Sequence, residues 1–166
     1  MENKELLRQI RQCEWEEEAL QFERFSHADA WELGKLLVDR AQKQASCVAL
    51  AIVLNGRVVF KYAFPSTVPN NDKWLKRKRN TVDAVCLSTL HVWALLAQTG
   101  ENLEKDWGLR PARYAAFGGG FPVRVKGTGV IGSICCSGLT HEEDHQLVVN
   151  ALAAYLHVDL PRDQNG

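Results

Sequence analysis

The apolar positions fall into blocks with two different periods. Leu6, Ile10 and Cys13 recur at helical spacing, so residues 3–20 read as a helix, with Glu14, Glu16, Glu17 and Glu18 as its acidic part. Phe22–Phe25 is a connector. Ser26 and Asp29 form a short capping box ahead of a second helix, whose buried face is Ala30, Leu33, Leu37 and Ala41. The period then changes. Cys47–Leu54 is wholly apolar, Asn55-Gly56 is a favoured type I′ turn, and Arg57–Phe64 alternates with Val58, Phe60, Tyr62 and Phe64 on one face. A two-residue loop pairs Leu54 with Arg57, which sets Ala51 opposite Phe60 and Ala49 opposite Tyr62.

The second half repeats the alternation. After a loop with two prolines, Asn71 or Asp72 caps a long helix that ends at Gly100, with a break expected near Cys86–Thr89 where hydroxyl residues lower helix propensity. Arg113–Phe117 reads as a short strand, followed by Gly118-Gly119-Gly120, a turn at Lys126–Gly129 and a strand over Val130–Ser137. Thr140 and Glu143 make a full capping box for a last helix that buries Leu147, Ala151, Ala154 and Tyr155. Helix pairs and strand pairs in this order predict an α+β fold on an antiparallel sheet, in one domain over residues 1–166, with a tail from residue 159.

Composition narrows the function classes. The chain has 166 residues, 46% hydrophobic and 24% charged, within the globular range. Twenty basic and twenty acidic residues give a net charge of +0, which argues against a general nucleic-acid binder. The charged start, from Glu2 to Glu5, has no apolar signal region, and no apolar run reaches membrane length, so a cytoplasmic protein with no membrane partner is expected. Five cysteines without C-x-x-C spacing read as reduced thiols, and Cys135 and Cys136, adjacent in a strand, face opposite sides.

Four patterns bear on chemistry. His141-Glu142-Glu143-Asp144-His145 has the H-E-x-x-H spacing of a zinc helix, but it lies at a helix start with no third ligand after it, so no metal site is expected. Gly118–Gly120 lets backbone approach either a ligand or the protein itself. Lys76-Arg77-Lys78-Arg79 is a basic helix run that either is solvated or serves anionic partners. Ser88, Thr89 and His91 are close in sequence without a nucleophile elbow.

The stretch from Gly118 to Leu139, with its Gly-Gly-Phe-Pro-Val start and Cys136-Ser137-Gly138 end, resembles the core of the GlcG/HbpS-like family, the haem-degrading domain family. Ala30-Trp31 with Leu33-Gly34, Asn71-Asp72 with Trp74, Arg77-Lys78 and Asn80, and Glu143-Asp144-His145 are similar to its short bacterial and fungal branch. Cys86-Leu87-Ser88-Thr89 stands where that branch carries a His-Arg-Ser-Ser-like stretch. The resemblance implies a profilin-like antiparallel sheet flanked by helices, homo-oligomers, and haem as a possible ligand in some members. It implies no settled reaction. A homo-oligomeric binder of a small anionic ligand, haem or another metabolite, is the leading expectation. Its contacts would be Gly118, Gly119, Gly120, Phe121, Arg124, Ser88, His91, Asp144 and His145, with Arg124 pairing the anion and His145 or His91 as the polar or axial contact. A haem-degrading or small-metabolite enzyme and a protein-interaction module stay open beside it.

Overall fold

The computed structural model describes residues 3–161; the start of the charged N-terminal stretch and the last five residues of the tail lie outside the described residues. The element order is α1 (Asn3–Ala19), α2 (His27–Lys43), β1 (Ala49–Leu54), β2 (Arg57–Ala63), α3 (Pro69–Val85), α4 (Thr89–Thr99), β3 (Gly120–Val125), β4 (Gly129–Ser137) and α5 (His141–Leu156). The four strands form one antiparallel sheet in the order β2-β1-β4-β3. The α+β class and the antiparallel sheet stand as the pattern predicted.

Strand alternation separates two cores. Leu50, Ile52, Leu54, Ile134 and Cys136 face α2 and α5 and pack with Leu33, Leu37, Val148 and Leu152. Ala49, Ala51 and Cys135 face the other way, against Leu75 of α3. Cys135 and Cys136 therefore do point to opposite faces, and both are buried free thiols. Helices cover both faces of the sheet. The exposed part is the outer edge, β2, where Val58 and Tyr62 are 49% and 40% exposed. At the opposite edge the connector after α1 closes β3: Phe22 N–H donates to Arg124 O at 2.8 Å, and Lys126 N–H to Phe22 O at 2.9 Å.

Several local readings change. Asn55 and Gly56 adopt the positive φ of the expected turn, +48° and +80°. A bulge between Ile52 and Val53 then shifts the register, so Ile52, not Ala51, faces Phe60, and Leu50 faces Tyr62. The Ser26–Asp29 and Thr140–Glu143 capping boxes both form. The long helix starts earlier than expected, at Pro69, because Asn71 Oδ1 accepts the Val68 N–H at 2.9 Å from inside the first turn. It breaks where expected: Cys86 is left-handed (φ +58°), and α3 and α4 meet at 72°. Arg113–Phe117 is not a strand. It is a turn and coil that lies along α3, and β3 begins at Gly120. Among the described residues no single helix is long and apolar enough to cross a membrane.

Gly132 of β4 sits between β1 and β3, opposite Leu54 and Val123. A Cβ there would drive into the backbone carbonyl of Val53. Overpacking against backbone costs on the order of 1–3 kcal/mol. Gly127 (φ +75°) has open space around it, so Gly127→Ala meets only the left-handed penalty of about 1–2 kcal/mol. Urea unfolding should show Gly132→Ala as the more damaging of the two; the reverse ranking would contradict this strand register.

Candidate functional site

Four segments converge beside β3: the start of α4, the Gly118–Phe121 approach to the sheet, the start of α5, and the inner face of α1. The break at Cys86 starts a new helix, α4, and Ser88 caps its buried N-terminal end by accepting the His91 N–H at 3.3 Å. Thr89 Oγ1 accepts the Gly120 N–H at 2.9 Å, and His141 Nδ1 accepts the Gly118 N–H at 3.3 Å. The three glycines answer to this packing. A Cβ on Gly118 would enter the His141 carbonyl, one on Gly119 (φ +122°) the Cys136 carbonyl, and one on Gly120 would lie 2.9 Å from the Thr89 methyl. Phe121 is buried, with its ring centroid 6.0 Å from that of His145.

The space expected between these segments is occupied by α1. Glu16 Oε2 lies 2.7 Å from His145 Nε2, with both side chains 3% exposed. Gln12 Nε2 donates to the other Glu16 oxygen at 2.9 Å. Glu17 places both oxygens 3.1 Å from His91 Nδ1 and also accepts the Ser88 N–H at 2.7 Å. Neither carboxylate was expected inside. The signal was present, since Leu6, Ile10, Cys13, Glu17 and Leu20 continue one helical stripe. Cys13, Glu16 and His145 bring three ligand-type atoms within 4.8 Å of one another. Burial, with Glu16 adding to it, pushes the Cys13 thiol up to about 12, so it stays protonated at neutral pH.

A second buried charge supports the start of α5. Lys78 Nζ lies 3.0 Å from Asp144 Oδ2 and donates to Cys136 O at 2.8 Å. Asp144 Oδ1 accepts the Leu139 N–H at 3.0 Å. The basic run is thus not all solvated. Lys78 is three residues from Leu75 and four from Val82, on the buried stripe of α3. Burial raises the Asp144 carboxyl above its ordinary 3.8 despite the pull of Lys78.

Of the residues expected to contact a ligand, half-buried Arg124 and His91, which is itself buried at 5% exposure, are the two that line a cleft. They share this cleft of about 640 Å³ with Glu17, Leu87 and the Gly127–Gly129 turn. Arg124 Nη2 donates to Cys86 O at 2.8 Å, which anchors the guanidinium at the rim. Ser88, Gly118, Gly119, Gly120, Phe121, Asp144 and His145 stand behind the cleft, buried. The two histidines of the H-E-x-x-H spacing are separated in role: His145 meets Glu16, whereas His141 Nε2 meets Glu142 at 2.9 Å and its ring packs edge-on against Trp93.

Three comparisons bear on this geometry. Residues 25–153 match the family described as haem degrading protein HbpS-like. A UPF0303 protein of Yersinia enterocolitica is 38% identical over 151 residues, 91% of this chain and 90% of the relative. The crystal structure of Ybr137w superposes with a TM-score of 0.83 at 24% identity, covering 89% of this chain and 87% of that one. The crystal structure of HbpS superposes with a TM-score of 0.64 at 25% identity, covering 82% and 92%.

Removing one member of the Lys78–Asp144 pair leaves a buried charge alone, which costs about 3–5 kcal/mol. Lys78→Met should therefore be strongly destabilising at neutral pH, and Lys78→Met with Asp144→Leu should recover most of the loss. The sign with pH follows from the raised Asp144 carboxyl. A raised folded value favours the folded state fully below the ordinary 3.8 and loses that contribution as pH rises through the folded value. The damage of Lys78→Met should shrink in acid. Urea unfolding of both variants across pH checks this; a double variant as unstable as the single one would contradict it.

Proposed function

The chain belongs to the HbpS-like family, and on that premise we propose that it is a homo-oligomeric binder of a small anionic ligand, with haem the first candidate. One observation carries the reading. Glu17 holds His91 through Nδ1 with both carboxylate oxygens, at the wall of an open cleft whose rim carries Arg124. A carboxylate on one ring nitrogen fixes the tautomer and leaves Nε2 as a more basic metal ligand. The cleft is within the size range of small-molecule sites.

The cleft offers an imidazole and a guanidinium, the donor types haem takes, beside three carboxylates, Glu14, Glu17 and Glu18. His91 would hold the iron and Arg124 would pair a propionate, while Leu87 supplies apolar wall. Haem supplies redox and oxygen chemistry when bound. The chain's own residues bind and orient. Ser88, Thr89 and the glycines fix the start of α4, and so the position of His91. Glu14 and Glu18 also line the cleft and oppose a second anionic group, so Arg124 carries the charge recognition.

Self-association is supported by the free edge strand. β2 carries exposed Val58 and Tyr62, and Trp31 beside it, 6.0 Å from Phe60, is 56% exposed. An apolar open edge is a pairing surface.

Titration with haemin should give a sharp Soret band that saturates at one haem per chain. His91→Ala should abolish the ligated spectrum, and Arg124→Ala should weaken binding on the order of tenfold, about 1.4 kcal/mol, at nearly unchanged Tm. Sedimentation of the same samples should show species larger than one chain. A His91→Ala protein with the wild-type Soret band would place the ligand elsewhere, and only monomer at micromolar concentration would refute self-association.

A further inference from the structure

A second groove lies against α3 and shares no lining residue with the cleft. Its floor is one face of α3, formed by Lys73, Lys76, Arg77 and Asn80, and its wall is the 111–113 turn with Arg113. Its volume is about 470 Å³. No carboxylate lines it. The rest of the basic run is already matched, Lys78 by Asp144 and Arg79 by Asp83, while Asp72 goes to Lys61. Lys73, Lys76, Arg77 and Arg113 have no ion-pair partner among the described residues. In a chain with a net charge of +0, four unmatched cations in one groove are a local excess.

A solvated helix face would have no opposing wall, and here the wall is fixed. Asn80 Nδ2 donates to Arg113 O at 2.8 Å, Ala115 N–H donates to Thr81 Oγ1 at 3.0 Å, and Arg77 Nη2 reaches Tyr114 O at 3.4 Å. The groove is therefore formed before any ligand arrives, which lowers the ordering cost of binding. It also holds a planar platform. The Arg77 guanidinium lies 4.3 Å over the Trp74 ring, and Phe117 meets that ring edge-on at 5.7 Å. Arg77 Nε has no hydrogen-bond partner among the described residues.

Cations beside a fixed aromatic–guanidinium stack suit a ligand with both a polyanionic part and a flat ring. We propose that this groove binds a nucleoside polyphosphate, with Lys73, Lys76 and Arg113 on the phosphates and the base against Trp74 and Arg77. The groove is too small and too isolated in charge for a tract of nucleic acid, which needs a broad basic field. The inference is independent of the haem reading, because the two sites share no lining residue.

The test is calorimetric titration with ATP, with inorganic tripolyphosphate, adenosine and a single-stranded oligonucleotide as separate arms. ATP should bind more tightly than tripolyphosphate, and adenosine alone should bind weakest. Arg113→Ala and Lys76→Ala, both at exposed positions that leave the bonds of the wall intact, should each weaken ATP on the order of tenfold at an unchanged Tm. Trp74→Leu should narrow the gap between ATP and tripolyphosphate, and Arg124→Ala should leave ATP binding unchanged. The proposal fails if ATP shows no heat at millimolar concentration, or if Arg113→Ala and Lys76→Ala bind as wild type. It fails also if tripolyphosphate matches ATP in a folded wild-type protein, or if the oligonucleotide outcompetes ATP.

Discussion

The pairing of Glu17 with His91 is the contact on which the arrangement around the cleft depends. It ties α1 to the N-terminal end of α4, and it satisfies both the imidazole and the Ser88 amide with one carboxylate. A buried carboxylate is tolerated only with partners that replace water. Glu16 solves the same problem one residue away with His145 and Gln12. Helix α1 therefore docks through charge as well as through Leu6, Ile10 and Cys13. The family match begins at residue 25, so both carboxylates come from outside the matched span and act on histidines inside it.

This explains how one set of residues divides into support and site. The glycines, Ser88, Asp144 and His145 are placed by protein–protein packing, and their tolerance for change is set by that packing. Lys78 and Asp144 fix the entry to α5 in the same way, as a matched interior pair rather than a net source of stability. Of this set only Arg124, half-buried, and buried His91 line the cleft. The basic groove on α3 follows the same logic in reverse: its charges are the ones the interior did not take up.

The fold was largely legible because local signals agreed with it. The capping boxes at Ser26 and Thr140, the Asn55-Gly56 turn and the break at Cys86 are each decided by neighbours in sequence. The misread parts depend on distant contacts. The Ile52–Val53 bulge and the coil at Arg113–Phe117 pinned to α3 both require tertiary packing. In the site, the convergence of the Gly118 approach, α4 and α5 was legible. The filling of that space by Glu16 and Glu17 was not, because a run of four acids with a single interruption reads as solvated until the stripe through Leu6 and Leu20 is weighed against it.

The central claim is that Glu17 presets His91 as a ligand through Nε2. Long-range 1H–15N spectra of the histidine rings at mildly alkaline pH test it most directly. The account predicts that His91 carries its proton on Nδ1 with a bare Nε2 in the ligand-free protein, and that Glu17→Gln weakens this preference. A His91 ring protonated on Nε2 in the wild-type protein would contradict it.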